Sequence, residues 1–338
     1  MQMNNSSKNK KISSYDENAN NNGLPKDAYL QLNEACNAKC VMCDIWKSPT
    51  HGDTKTLQNI IKTLSDLDFE WVTLWGGEPF LHKDVDLIMQ TVKEEGMNLQ
   101  MITNGSLISK HLDSIGLYVD NLVVSIDSGY ENIHNKIRGV DIFQDAINGI
   151  IQVQQLKQKP SIEIDTTILN ENSDTLSSII HLSNKLGKVF VDFDPVQIYG
   201  VGNNNDYAIN IGLEGLDEAV NEAKKLNIEI TSPKRIEIIK QYLKGEDIHQ
   251  ACYSYCKDML INPQGDVHTC WTINTIIGNV LNSNFKEQWY EGLKKNKEVL
   301  TGEKSECYKC GFSHSRMPDE GYAEIVKQAN MKRLKNLI

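Results

Sequence analysis

Between Asp27 and about residue 230, short apolar runs alternate with amphipathic stretches, and this rhythm restricts the chain to very few folds. Strands are expected at 28–34, 70–75, 99–103, 121–127, 161–169 and 188–194. Helices are expected between them at 55–67, 84–96, 107–117, 141–157 and 173–187. In the stretch DVDLIMQTVKEEG, Asp84 can cap the first turn, apolar residues recur at three- and four-residue steps, and Gly96 can close the helix. Six strands alternating with helices imply an α/β fold with a parallel sheet and right-handed crossovers, either barrel-like or doubly wound. The alternation alone does not choose between those two.

The flanking regions read differently. Residues 1–26 are Asn-, Ser- and Lys-rich with almost nothing to bury, and are expected to be a disordered polar tail. Residues 27–230 form the core domain, and 231–338 a second, smaller module: a helix near 233–244, a hairpin DMLIN-PQG-DVHTCW, a helix over 284–298, a C-x-x-C turn and a terminal helix. With 338 residues and a formal net charge of −10, a general nucleic-acid binder is disfavoured, because phosphate recognition needs clustered Lys and Arg. No run reaches the length of a membrane helix and no secretory signal is present, so no membrane partner and a cytoplasmic location are expected. In a reducing cytosol, eight clustered cysteines mean metal or redox chemistry sooner than disulfides.

Cys36, Cys40 and Cys43 stand in C-x3-C-x2-C spacing just past the first strand. Soft thiolates select zinc, copper or iron–sulfur clusters, and three ligands leave one coordination position open for chemistry. A structural zinc site with His51 or His82 as a distant fourth ligand is the plainer alternative. The loop lies at the carboxyl end of a strand, where α/β sheets place active sites. This segment resembles the radical SAM superfamily, whose three thiolates hold a 4Fe–4S cluster while S-adenosylmethionine (SAM) chelates the fourth iron. Met42 occupies a position that is usually aromatic in that family.

Further matches follow in order. Trp75-Gly76-Gly77-Glu78-Pro79 looks like the family's GGEP element, in which glycines permit close backbone approach and Glu78 can pair with an ammonium group. Thr103-Asn104-Gly105 is similar to its TNG, and Ser125-Ile126-Asp127 ends the fourth strand, where relatives use the Ser near the cofactor. HNKIRG (134–139) follows, with Arg138 able to steady a carboxylate or the substrate. The resemblance implies a partial (β/α)6 barrel of the radical SAM type, with Met42, Gly76, Gly77, Glu78, Asn104, Ser125 and Arg138 around the cofactor.

Five cysteines remain. Cys252, a Gly265 hairpin carrying Cys270, and the Cys307–Cys310 turn resemble SPASM and twitch extensions, which form small α+β modules around auxiliary clusters. The implied ligands of one auxiliary 4Fe–4S cluster are Cys252, Cys270, Cys307 and Cys310. Cys256 is a substitute ligand, a thiol near the substrate or a buried spare, and His314 is a remote candidate. Four cysteines would hold structural zinc equally well.

The resemblance implies reductive cleavage of SAM to a 5′-deoxyadenosyl radical and hydrogen abstraction from substrate, with electrons from a flavodoxin- or ferredoxin-type donor. An auxiliary cluster favours net oxidation, making the chain an oxidoreductase. Asp194, Gln197 and Tyr199, at the end of the sixth strand, are the candidate proton-handling residues. A short N-terminal tail tilts the expectation toward a small polar metabolite such as a sugar or aminocyclitol. Maturation of a ribosomal peptide is the alternative, and a non-catalytic metal scaffold the remote one. The related cyclase acting on GTP ends in Gly-Gly and spaces its C-terminal cysteines differently from this chain, which ends KRLKNLI.

Overall fold

A computed structural model describes residues 23–197, 212–249, 252–268, 270–273, 275–296, 298 and 305–311. The six expected strands form as β1 (Asp27–Asn33), β2 (Trp71–Gly76), β3 (Asn98–Thr103), β4 (Asn121–Ser125), β5 (Ser161–Ile168) and β6 (Phe190–Pro195). Each pairs in parallel with the next, and their order across the sheet is their order along the chain. A doubly wound sheet reverses its strand order at a switch point. This one never reverses, so the core is of the partial-barrel type, open beyond β6.

The connecting helices are α1 (Thr54–Asp66), α2 (Val85–Glu94), α3 (Leu112–Tyr118), α4 (Glu131–Arg138), α5 (Phe143–Gln154) and α6 (Ser177–Lys185). Beyond β6 come α7 (Glu214–Leu226) and α8 (Pro233–Leu243). Two of these were not expected. The α4 segment ENIHNKIR has few apolar residues, and its inner face is made instead by buried His134 and Arg138 beside Ile137. In α7, Leu216, Ala219 and Ala223 form a stripe of mostly small residues that is weak as a pattern but sufficient for close packing. The helix expected from residue 107 starts only at Leu112, because Ile108–Lys110 make a 3-10 turn that seats Ile108 against Gly149 of α5.

Alternation along each strand assigns its two faces. Ala28, Leu30 and Leu32 of β1, Val72 and Leu74 of β2, and Val191 and Phe193 of β6 are fully buried. Each large apolar side chain so buried contributes roughly 1.5–3 kcal/mol, which pins the strand register. A one-residue slip of β5 would drive Glu163 and Asp165 into the places of Ile162 and Ile164. The opposite positions line the concave face: Asp27, Tyr29, Trp75, Gln100, Ser125, Glu163, Asp165, Asp192 and Asp194 among them.

The second module does not build a sheet of its own. Its first strand, β7 (Asp258–Ile261), pairs in parallel with β1, with Asp258 beside Asp27 and Leu260 beside Tyr29. Strands β8 (Asp266–His268) and β9 (Ile276–Asn279) add antiparallel, the second of them unexpected, and complete a nine-stranded sheet flanked by α9 (Phe285–Lys295). The boundary at 230 is also crossed on the other edge, where Thr231 and Arg235 bond to Asp192. The polar tail ends earlier than composition implied: Leu24 and Lys26 are buried, Lys26 donating to the Asp68 carbonyl at 2.6 Å.

Candidate active site

The loop after β1 carries Cys36, Cys40 and Cys43, and all three line one cavity of about 480 Å³ on the concave face. Its backbone is stitched to neighbouring elements as well as to itself, where Cys43 N–H bonds the Cys40 carbonyl at 3.2 Å. Lys39 N–H donates to the Arg138 carbonyl at 2.9 Å and Val41 N–H to that of Ile137 at 2.9 Å. At its base, Gly77 N–H bonds the Asn33 carbonyl and Glu78 N–H that of Ala35, each at 2.9 Å. A Cβ at Gly77 would stand 2.2 Å from the Ala35 oxygen, and one at Gly139, where φ is +69°, 2.4 Å from that of Lys39. Both glycines therefore exist to seat the thiol loop.

Burial pushes the Cys36 thiol up to about 11, with Glu78 and the other two cysteines adding to it against a hydrogen bond from Ala38 N–H. Burial likewise raises Cys43. His51 and His82 are not among the cavity-lining residues. Both ring nitrogens of His82 are spent, on the Gly52 carbonyl at 2.9 Å and the Asp84 N–H at 3.2 Å. Nothing in this geometry makes either histidine a fourth ligand.

Glu78 differs from its expected role. Its side chain is fully buried, does not line the cavity, and accepts from Thr103 Oγ1 at 2.8 Å, Asn104 N–H at 2.8 Å and Phe80 N–H at 3.2 Å. It is a strut between the ends of β2 and β3. Burial raises it to about 7 even against those hydrogen bonds. Asn104, which does line the cavity, donates to Asn37 Oδ1 at 2.9 Å and approaches Cys36 Sγ at 4.0 Å.

Arg138 at the end of α4 is buried against Asp127. Nε lies 2.6 Å from Asp127 Oδ2, and Nη2 donates to Oδ1 at 2.9 Å. The remaining nitrogen, Nη1, reaches Cys40 Sγ at 3.8 Å. Buried His134, held neutral because burial lowers it to about 3, accepts from the Asp127 N–H at 3.2 Å. The guanidinium thus links buried Asp127 to the Cys40 thiol. Ser125 and Met42 line the same cavity, Met42 also packing beside Ile137, Leu169 and Val196.

Comparison with known proteins agrees with this arrangement. Residues 30–182 match the family model described as Radical SAM superfamily. The chain carries a radical SAM domain. It is 24% identical over 290 residues to an AdoMet-dependent heme synthase from Methanosarcina barkeri, covering 78% of this chain and 82% of that one. It is 28% identical over 189 residues to a probable GTP 3′,8-cyclase from Pyrobaculum aerophilum, covering 51% of this chain and only 58% of the relative. In fold it is similar to SuiB of Streptococcus suis bound to the precursor peptide SuiA, with TM-score 0.67, 14% identity and coverage of 90% and 73%.

The donor set fits the 4Fe–4S cluster and SAM that a radical SAM domain implies. Three thiols and no imidazole face the cavity, a soft set suited to iron–sulfur ligation. Among the described residues, no three His, Cys, Asp or Glu side chains converge tightly enough for a single ion. A cluster asks instead for thiolates spread over separate corners.

Beside the radical SAM cavity lies a second one of about 680 Å³, lined by Cys270, His268, Gln197 and Pro263. The two share Met42, Ile45, Trp75, Asp165, Asp194 and Trp271. Trp271, next to Cys270, meets Trp75 edge-on at 4.8 Å and Tyr29 at 5.1 Å, forming an aromatic partition. Cys252, Cys307 and Cys310 are buried, and Cys310 N–H bonds the Cys307 carbonyl at 3.2 Å. Cys256 sits fully buried in the main hydrophobic core. Gln197 ties this region to β6: its Oε1 accepts from Gly311 N–H at 2.9 Å and its amide donates to the Pro195 carbonyl at 2.8 Å. Tyr199 and His314 lie outside the described residues.

Asp194 lines both cavities and pairs with Arg235 Nη2 at 3.4 Å, while Asp192 takes Nη1 at 2.9 Å. The carboxylates around it escaped the sequence reading. Asp27, Glu163, Asp165, Asp192 and Asp258 join Asp194 on the cavity wall. The signal was there in SIEIDTTI and FVDFDP, where acids occupy every second position of strands whose other face is Ile, Val and Phe.

Proposed function

We propose that this chain is a radical SAM oxidoreductase: Cys36, Cys40 and Cys43 hold the 4Fe–4S cluster, and Gly76, Gly77, Asn104, Ser125, Arg138 and Met42 surround SAM. Cys252, Cys270, Cys307 and Cys310 hold one auxiliary cluster. The observation that carries the reading is the convergence of three loop thiols on the cavity lined by the barrel's concave face. When bound, these groups supply a 5′-deoxyadenosyl radical that takes a hydrogen atom from the substrate, and an acceptor for the electron left behind. The chain's own residues do the rest. Arg138 and Asp127 hold the Cys40 segment in place, and Asn104 braces Cys36 and Asn37. Trp75 and Trp271, in edge contact, form part of the wall common to both cavities. Asp194, ion-paired to Arg235, stands at the wall of both cavities as the acceptor of the substrate proton, and Gln197 positions the C-x-x-C turn.

A small polar metabolite suits a cavity of about 480 Å³ whose wall carries carboxylates among its apolar and aromatic groups. A ribosomal peptide is the second reading, favoured by the likeness to SuiB with its precursor peptide. GTP, named for the cyclases, is opposed by the carboxylates on the wall, which would repel a triphosphate. The electron donor is a flavodoxin- or ferredoxin-type protein and the compartment the cytoplasm; among the described residues, no helix is long and apolar enough to cross a membrane.

The test is anaerobic reconstitution followed by iron and sulfide counts, an optical spectrum and assay of 5′-deoxyadenosine under a strong reductant. Two clusters per chain with SAM cleavage is the expected result. Bound zinc without cleavage would overturn the proposal and favour a scaffold.

A further inference from the structure

Six carboxylates line the radical SAM cavity: Asp27, Glu163, Asp165, Asp192, Asp194 and Asp258. The cations lining it are Arg138, Arg235 and Lys257. Arg138 is consumed by Asp127, which is not part of the wall, and Arg235 by Asp192 and Asp194. The wall is therefore in negative excess. Its composition follows from strand register, since Asp165 of β5 sits beside Asp192 of β6 on the same face, with Glu163 one pleat earlier.

A second observation is independent of the charge count. Asp165 Oδ1 is completely buried and accepts no hydrogen bond, although its side chain faces the cavity. Trp75 Nε1, on the facing wall, is likewise a buried donor with no acceptor. Buried polar atoms are ordinarily satisfied, and orphans of this kind mark places completed by something else. Across the cavity stand the rings of Tyr29, Trp75 and Trp271. Carboxylates opposite aromatic faces are the chemistry that recognises an organic cation.

We infer that the substrate carries a protonated amine or guanidinium, which docks on Asp165 and Glu163 against the aromatic wall of Tyr29, Trp75 and Trp271. This rests on the cavity being the substrate site of the proposed reaction, and it states what class of molecule enters. An amino group on a small polyol and a basic side chain of a peptide share this chemistry.

Docking has a proton signature. Burial first, then Asp194, Asp192, Glu163 and Asp127, raise Asp165 well above the carboxylate range, with Arg235 of α8 the nearby cation engaged by Asp192 and Asp194. An arriving cation favours the ionised form, so the complex holds fewer protons than the free enzyme. Affinity therefore rises with pH up to the value at which Asp165 ionises unaided.

The experiment uses anaerobic holoenzyme with SAM bound, and calorimetric titration with two matched pairs of probes. One pair is glucosamine and glucose; the other is the pentapeptide Gly-Ala-Lys-Ala-Gly and its Nε-acetyl-lysine form. The cationic member of one pair is expected to bind at least about tenfold more tightly than its neutral partner, with proton release visible as a buffer-dependent heat. The preferred pair identifies the source as small amine or peptide. That preference should fall to within about twofold in Asp165→Asn, and in Glu163→Gln should Asp165→Asn fail to fold. Absence of cation preference in both pairs overturns the inference, as does a preference unchanged in the variants. SAM cleavage by the same preparation separates the two failures: cleavage without cation preference sinks this inference alone, whereas no cleavage sinks the proposed function.

Discussion

Replacing Arg138 by Met removes both arms of a buried ion pair at once. Asp127 is fully buried, and the two contacts, at 2.6 and 2.9 Å, are its strongest compensation; Thr167 N–H adds a third at 3.2 Å. Breaking a buried pair by deleting one partner costs roughly 3–5 kcal/mol, because the survivor stays desolvated. Burial already holds Asp127 above the ordinary carboxylate value with Arg138 present, so the variant's Asp127 takes up a proton and limits the loss to the lower part of that range. The assay is urea unfolding of the reduced, metal-free protein at neutral pH, run as a cycle with Asp127→Asn and the double variant. The expected coupling is about 2–3 kcal/mol, the double variant being more stable than the sum of the singles implies. Iron retention after reconstitution is read alongside, because Arg138 also touches Cys40 and its carbonyl holds Lys39 N–H. A single-variant loss under about 1 kcal/mol, or additive energies, would refute the claim that this fork anchors the thiol loop.

Three further outcomes are expected. Glu78 is raised in the folded protein to about 7, so it contributes stability that is present below its unfolded value near 4.5 and lost as pH rises through 7; Glu78→Gln should flatten that part of the stability–pH curve, measured by urea midpoints from pH 4 to 8. Cys36→Ala should lose roughly half of the reconstituted iron and all 5′-deoxyadenosine formation, as counted by iron assay and chromatography. The double variant Cys307→Ala/Cys310→Ala should keep SAM cleavage and lose the oxidised product; undiminished turnover would remove the electron-acceptor role of the auxiliary cluster.

The local features of this protein were legible before any coordinates. Period-two alternation located all six barrel strands to within two residues at every end, because each strand buries one face under helices and exposes the other to the cavity. The spacing of Cys36, Cys40 and Cys43 marked the loop whose thiols line one cavity, since three thiols within eight residues can meet only if the backbone curls. The glycines of GGEP were legible as close-approach positions, although what approaches them is the backbone of the thiol loop itself.

What remained hidden depends on which strands lie side by side. The register that sets Asp165 against Asp192, and Asp27 against Asp258, comes from residues far apart in the chain, so no local pattern could announce an acidic wall. The role of Glu78 was hidden for the same reason: whether a carboxylate faces a ligand or three neighbouring donors is decided by the end of a strand 25 residues away. Strand β7, read as the start of a separate module, joins the barrel because the edge of β1 offers unpaired backbone groups that only an assembled sheet presents. Sequence determined where the thiols, strands and turns are; tertiary packing decided what they face, because burial and like-charge proximity are properties of neighbours in space.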